Sequence, residues 1–111
     1  GMMISAGDQL SSDAEIITPR EFALLGNYPN PFNPVTTLRF DLDYTSNVNV
    51  TIYNILGNEI ITLQNGELNA GRHALQWNAN NAYGQKVPSG LYLYKVTSDN
   101  RSLTGKMLLM K

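Results

Sequence analysis

Cysteine is absent from the 111 residues of the chain. Disulfide bonds, thiolate nucleophiles and cysteine-ligated zinc sites are therefore excluded. Apolar runs are short as well: none approaches the roughly 18–20 residues that a membrane-spanning helix requires, so we expect no transmembrane segment. Only 15% of the residues are charged, and the formal net charge is −1. Such a balance gives no electrostatic reason to expect a nucleic acid or an anionic membrane as the partner.

Residues 1–21 show neither periodicity nor an apolar cluster, and their composition predicts a flexible linker ahead of one folded domain over residues 22–111. Ile16 and Ile17 would allow a short strand instead. The opening GMMISAGDQL lacks the basic and apolar regions of a secretory signal peptide. Gly1 before Met2 is typical of a cloning remnant, and we expect the sequence to be a piece of a longer protein.

From Phe22 onward, apolar and polar residues alternate with the period of two that is typical of a β-strand. FALL, TTLRFDL, VNVTIYN, EIITL, RHALQW, LYLYKVTS and SLTGKMLLMK give about seven strands, which predicts an all-β, immunoglobulin-like antiparallel sandwich. Asn65-Gly66 predicts a hairpin turn, because both residues tolerate a positive φ. Val48, Val50 and Ile52 are predicted to face inward, and Leu38, Phe40 and Leu42 share the apolar face of their strand. Tyr92, Tyr94 and Val96 lie on one face of the LYLYKVTS strand, and Leu91 and Leu93 lie on the other.

The stretch NYPNPFNP (residues 27–34) contains three prolines, which remove ladder donors and favour extended conformations before them. It therefore predicts an extended arm between the first and second strands. We expect the rings of Tyr28 and Phe32 to pack on the sandwich while the backbone remains in water. We also expect the Tyr28–Pro29 bond to be trans, although cis is more common before proline than elsewhere.

Few residues are candidates for catalysis or metal binding. His73 is the single histidine, and its alternation with Leu75 and Trp77 predicts an inward, structural position instead of a catalytic one. Asp41 and Asp43 lie on one face of a strand, where two carboxylates could bind calcium or act as acid and base. Without further acidic residues nearby, a solvated strand edge is the favoured interpretation.

Exposed aromatic residues offer a second kind of candidate site, since they can stack on sugars. Tyr53, Tyr83 and one face of LYLYKV are the candidates. Trp77 is better interpreted as the core tryptophan of a sandwich. Tyr92 follows a turn at the start of a strand, which is typical of a tyrosine corner, whose hydroxyl bonds to nearby backbone.

Five motifs occur in order between Leu25 and Lys111: NYPNPFNPVTTLRFDL, VTIYNILGNEI, AGRHALQWNA, YGQKVPSGLYLYKV and GKMLLMK. In this order and spacing they resemble the type A C-terminal sorting domain of the type IX (Por) secretion system, found on exported proteins of Bacteroidetes. They are also similar to the related immunoglobulin-like domain of flagellar hook-capping proteins. The chain has Asp43 where the sorting family often has Pro, and Asn78 where it often has Asp; both residues still favour turns.

The resemblance implies a non-enzymatic domain that directs an upstream, covalently linked cargo protein through the outer membrane. Its partners would be the secretion translocon and a sortase-like peptidase that cuts before Phe22. The cargo, in transit through the periplasm, would end at the cell surface or in the medium, and no cofactor or metal is implied. The sorting-motif residues that the resemblance carries over are Tyr28, Pro29, Asn30, Pro31, Phe32, Asn33, Pro34, Gly57, Glu59, Pro88, Gly90, Tyr92, Lys106 and Lys111.

Each of these motif residues also has a structural interpretation. Pro88 and Gly90 would shape a turn, and Gly57 would supply a positive φ between two strands. Lys106 and Lys111 would bracket an apolar last strand as gatekeepers against aggregation. Two other functions remain open: an accessory, polysaccharide-binding module of a secreted hydrolase, and a hook-cap-like assembly domain. An enzyme is the least favoured, because no nucleophile–base pair or metal cluster is visible.

Overall fold

The computed structural model describes residues 19–110, and strands are the only regular structure in that range. The strands are β1 (Ala23–Tyr28), β2 (Thr36–Leu42), β3 (Ser46–Asn54), β4 (Glu59–Leu68), β5 (Gly71–Trp77), β6 (Gly90–Ser98) and β7 (Arg101–Leu109). Within residues 19–110 there is no helix of the length and apolarity needed to span a membrane. Most of the predicted linker, the possible strand at Ile16 and Ile17, and Lys111 lie outside the described residues.

The seven strands form two antiparallel sheets with the orders β1-β2-β5 and β4-β3-β6-β7. Alternation of side chains explains this packing, because every second residue of β2, β3 and β6 is buried between the sheets. The apolar faces predicted for β2 and β3 are buried, whereas His73 and Leu75 on the predicted inward face of β5 are half-buried. The predicted immunoglobulin-like sandwich is confirmed. Other buried apolar residues complete the core: Phe32, Trp77, Ala79, Val87, Met107 and Leu109.

The hairpin predicted at Asn65-Gly66 is wrong. Both residues lie inside β4, opposite Asn49 and Val48 of β3. β3 extends back to Ser46 and offers ladder partners for this part of the chain, so pairing continues where the dipeptide alone favours a turn. The chain leaves β4 after Leu68 and enters β5 in the other sheet.

The predicted tyrosine corner is confirmed at the start of β6. Tyr92 is buried, and its hydroxyl donates a hydrogen bond to the carbonyl of Pro88 at 2.5 Å. Burial raises the pKa of Tyr92 above its ordinary value. The bond anchors the loop after Trp77 to the strand that follows it.

Asp41 and Asp43 form two separate ion pairs instead of a shared solvated edge. Arg72 bonds Asp41 through two nitrogens, at 2.8 and 3.2 Å. Arg101 bonds Asp43 through two nitrogens, both at 2.8 Å. Each carboxylate is satisfied by an arginine, Asp41 by Arg72 of the neighbouring strand β5 and Asp43 by Arg101 of β7. The spacing of the two aspartates in the sequence did not indicate these ion pairs.

Arg101 also joins three parts of the chain at this end of the sandwich. Its guanidinium carbon lies 4.9 Å from the ring centroid of Phe22 and 4.4 Å from that of Tyr44. Hydrogen bonding to Arg101 holds the pKa of Asp43 below its ordinary value of 3.8. The entry to β1, the β2–β3 turn and the start of β7 are therefore held together by one cation; we call this group the Arg101 clamp.

We expect Gly105→Ala to destabilise the fold by about 1–3 kcal/mol, because overpacking a filled core costs that much. A Cβ atom at Gly105 would overlap the ring and hydroxyl of the buried Tyr94. Thr104→Ala, one residue away and exposed, is the matched control. Urea denaturation measures both; equal stabilities of the two variants would show that the site can relax around the methyl group.

The Arg101 clamp predicts an acid-dependent loss of stability. Because the pKa of Asp43 is lower in the folded chain than in the unfolded one, its contribution is complete above pH 3.8 and is lost as the pH falls through the folded pKa. Asp43→Asn should therefore be less stable than the parent chain at pH 7, and the difference should shrink towards pH 2. Denaturation over this range measures it, with exposed Glu67→Gln as the control; a difference independent of pH would contradict the assignment.

Candidate functional site

One end of the sandwich gathers most of the predicted motif residues. We call it the loop end; it comprises residues 29–35, 55–58, 78–89 and Met110. The antiparallel arrangement brings these segments together, since β1, β3, β5 and β7 finish where β2, β4 and β6 begin. Backbone bonds connect the segments: Ala82 N–H donates to the Ile60 carbonyl at 3.0 Å, which joins the long loop to β4.

The proline-rich arm is bonded to the end of β7. Phe32 N–H donates to the Leu108 carbonyl at 2.9 Å, and Met110 N–H donates to the Phe32 carbonyl at 2.8 Å. The side-chain oxygen of Asn30 accepts the Leu108 N–H at 3.0 Å. The predicted extended arm therefore lies as a short parallel partner along the outer edge of β7; we call this contact the arm clasp. The expectation that the backbone of the arm remains in water is wrong at Phe32, whose N–H and C=O are both bonded to protein backbone.

Phe32 fixes the arm to the core, as expected. It is only 2% exposed, and its ring centroid lies 5.7 Å from that of Trp77. Tyr28 does not pack, and that part of the expectation is wrong: it ends β1 and is 76% exposed. Tyr28 lies opposite Thr37, which alternates with the buried Thr36 and Leu38, so its ring is on the outer face of the sheet and remains in solvent.

The asparagines and a threonine hold the start of the arm. Asn27 donates from its side chain to the Pro29 carbonyl at 3.3 Å and to the Thr36 hydroxyl at 3.1 Å. The buried Thr36 donates to the same carbonyl at 2.8 Å. The Tyr28–Pro29 bond is cis, so the expected trans bond is wrong, and the bonds before Pro31 and Pro34 are cis as well. The isomers differ so little in free energy before proline that tertiary contacts decide between them.

The remaining motif residues lie at or near the loop end. Gly57 has a φ of +87° in the exposed β3–β4 turn, which explains the need for glycine there. Glu59 begins β4, and its carboxylate accepts the Thr62 hydroxyl at 3.2 Å. Pro88 and Gly90 precede the tyrosine corner. Lys106 is exposed on β7, and Lys111 lies outside the described residues.

Two hollows flank the end of β7. A cavity of about 290 Å³ is lined by Asn33, Pro34, Ala79, Lys86, Val87 and Leu109. A more open groove of about 380 Å³ is lined by Ser89, Gly90, Leu108, Leu109 and Met110. Leu109 borders both, so the last residues of β7 separate the two hollows, and motif residues line each of them.

Exposed apolar side chains at the loop end and on the adjoining ends of β6 and β7 were missed by the sequence reasoning. Ile55 and Leu56 are 67% and 79% exposed, and Leu91, Leu108 and Met110 are between 39% and 50% exposed. The available signal was NILG, which places two large apolar residues directly before a Gly-Asn turn. Turns normally carry polar residues, so a pair of large apolar residues in a turn indicates a surface with a role beyond the fold.

His73 occupies the structural position that its alternation predicted. Its ring stacks on Phe40 with a centroid distance of 5.4 Å, and Nε2 lies 2.7 Å from the Asn69 carbonyl. Within residues 19–110, no three His, Asp or Glu side chains are grouped in a way that could hold a metal ion. The features that distinguish the loop end are therefore its shape and its exposed apolar side chains.

The fold and the loop geometry define an immunoglobulin-like domain in which the proline-rich arm after the first strand is bonded to the last strand. The sequence model of the FlgD Ig-like domain matches residues 33–102, and the chain belongs to that family. A comparison with curated proteins found no match.

Solved structures of secretion and flagellar proteins share this fold. PorU of Porphyromonas gingivalis matches 86% of the chain with a TM-score of 0.63 and 23% identity. PorZ of the same organism, a surface component of the type IX secretion system, matches 77% with a TM-score of 0.55 and 22% identity. FlgD of P. aeruginosa matches 68% with a TM-score of 0.55 and 22% identity. The chain spans 10% of PorU, 11% of PorZ and 59% of FlgD, and at these identities the likeness concerns the fold.

The arm clasp predicts unequal roles for the two rings of the motif. Phe32→Ala should lower the free energy of unfolding by about 3–5 kcal/mol, since it removes a buried ring beside Trp77. Tyr28→Ala should change it by less than about 0.5 kcal/mol, because the ring lies in solvent. Chemical denaturation of the two variants measures the contrast; similar losses in both would mean that Tyr28 also supports the fold.

Proposed function

We propose that the chain is a non-catalytic sorting domain, which directs a covalently linked exported protein across the outer membrane through the type IX secretion system. The observation that carries the proposal is the arm clasp. It brings the proline-rich arm and the groove beside Gly90 to the end of β7. Motifs that are distant in sequence thus form one continuous surface that a partner can recognise as a unit.

The position of the chain entry supports this function. Phe22 is held by the Arg101 clamp, at the end of the sandwich opposite the loop end. An upstream cargo domain would therefore extend away from the loop end and leave that end free for the translocon. A sortase-like peptidase could cut before Phe22 without breaking a strand, since β1 begins at Ala23.

The structural neighbours support the proposal at the level of the fold. PorZ is described as an essential surface component of the type IX secretion system, and PorU is similar over a larger part of the chain. Because one fold hosts many functions, the assignment depends on the motif residues gathered at the loop end and not on the similarity to PorZ and PorU alone. In this proposal the chain passes through the periplasm and reaches the cell surface or the medium.

A hook-cap-like assembly domain is the second candidate, favoured by the FlgD Ig-like family match over residues 33–102. The accessory sugar-binding function receives less support. Of the candidate aromatics, Tyr92 and Tyr94 are buried and Tyr53 is half-buried. The exposed Tyr83 lies in the loop that is bonded to β4, whereas the exposed Tyr28 ends β1 in the other sheet. The two most exposed tyrosines therefore do not form one flat strip for a sugar chain.

Export of a reporter tests the proposal. In a cell that has this secretion system, a periplasmic reporter fused ahead of the whole chain should reach the surface or the medium, while the reporter alone should stay in the periplasm. Removing residues 106–111 should abolish export. That deletion also removes the buried Met107 and Leu109 from the core. A second deletion therefore removes only Met110 and Lys111 and leaves all residues of β7 in place. Unchanged export of the longer deletion, or no export of the whole chain, would overturn the sorting function.

A further inference from the structure

Four exposed apolar side chains lie at or next to the loop end: Leu91 and Leu108 on the outer face of the four-stranded sheet, and Ile55 and Leu56 in the β3–β4 turn. We call these four residues the apolar patch. Their exposed fractions are 67%, 79%, 43% and 39%. Apolar side chains scattered singly over a surface are normal, whereas a group of this kind marks a binding surface.

Strand register pairs two members of the patch and places the turn that carries the other two next to them. Leu91 lies directly opposite Leu108. The arm uses both the N–H and the C=O of Leu108, so this pair is not hydrogen-bonded across β6 and β7. In such pairs the Cα atoms are about 4.5 Å apart and the side chains are at their closest. Asn54 lies opposite Tyr92, which brings the turn that begins at Ile55 beside Leu91.

Two lysines border the patch on one side. Lys106 lies opposite Leu93 and Lys95 opposite Thr104, and both lysines are exposed on the outer face. Neither forms an ion pair within residues 19–110, where the arginines at the other end make the two ion pairs. On the β4 side the border is Glu59, which lies opposite Tyr53. The charges around the patch are therefore asymmetric.

We propose that the apolar patch is the docking surface for a protein partner that presents apolar side chains bordered by carboxylates. The inference rests on the proposed function and identifies the face of the domain that the secretion machinery contacts. Apolar burial would supply most of the affinity, and the two lysines would orient the partner and accelerate the encounter. The groove beside Gly90 and Met110 continues this surface around the end of β7.

Charge argues against an anionic lipid surface as the occupant. An anionic lipid surface would attract the lysines but repel the carboxylate of Glu59 at the opposite border. A protein partner can place carboxylates near Lys95 and Lys106 alone, which fits the asymmetry.

The experiment compares export of four variants of the full chain fused to the reporter. Ile55→Ser with Leu56→Ser removes the most exposed half of the patch, and Leu25→Ser, on β1, is the matched control. Lys95→Glu with Lys106→Glu reverses the border charge, and Arg39→Glu, exposed on the other sheet, is its control. We expect both patch variants to reduce export by about tenfold or more, the scale of an interface hot spot, and the controls to stay within about twofold. Denaturation of the purified domains should give similar stabilities.

A photo-crosslinking amino acid at position 56 identifies what covers the patch. We expect a crosslink to a second, different protein in the exporting cell, and its loss in the Lys95→Glu, Lys106→Glu background. Crosslinks only between copies of the chain or only to lipid would overturn the proposal, as would normal export of both patch variants. Failure of the unmodified fusion to leave the periplasm is a different result, because it rejects the sorting function itself.

Discussion

Burial of Phe32 beside Trp77 is the contact on which the loop end depends. Pro31 directly before it has no N–H, so the arm cannot join a sheet through a regular ladder. A ring that is 2% exposed supplies the anchor instead, and the backbone of the same residue then bonds Leu108 and Met110. One residue therefore fixes the arm against the end of β7, where the two hollows lie.

Much of the sandwich could be predicted because burial between two sheets leaves a period of two in the sequence. Leu38, Phe40 and Leu42 alternate with polar residues, and all three are buried in β2. Tyr92 was predictable for a similar reason, since a corner tyrosine follows a turn and begins a strand. These features are local, and a few neighbouring residues contain the information that specifies them.

Contacts between distant segments could not be predicted in this way. The arm clasp joins Phe32 to Leu108 and Met110, far apart in sequence, through backbone groups that every residue type except proline carries. The hairpin predicted at Asn65-Gly66 is wrong for the opposite reason. The dipeptide strongly favours a turn, but pairing with the long strand β3 continues through it. The apolar patch was missed because Leu91 and Leu108 are distant in sequence and only the strand register places them opposite each other.

The two ends of the domain differ in chemistry. The Arg101 clamp fixes the chain entry through charge, in contacts that are already complete within the domain. At the loop end, by contrast, the backbone is bonded while Ile55 and Leu56 remain in water. An immunoglobulin-like fold does not need apolar side chains at a turn for its own stability, since its core is filled by residues of the strands and the arm. Exposed apolar side chains on a hydrogen-bonded turn suit a recognition surface, because few groups of the domain then have to be ordered on binding.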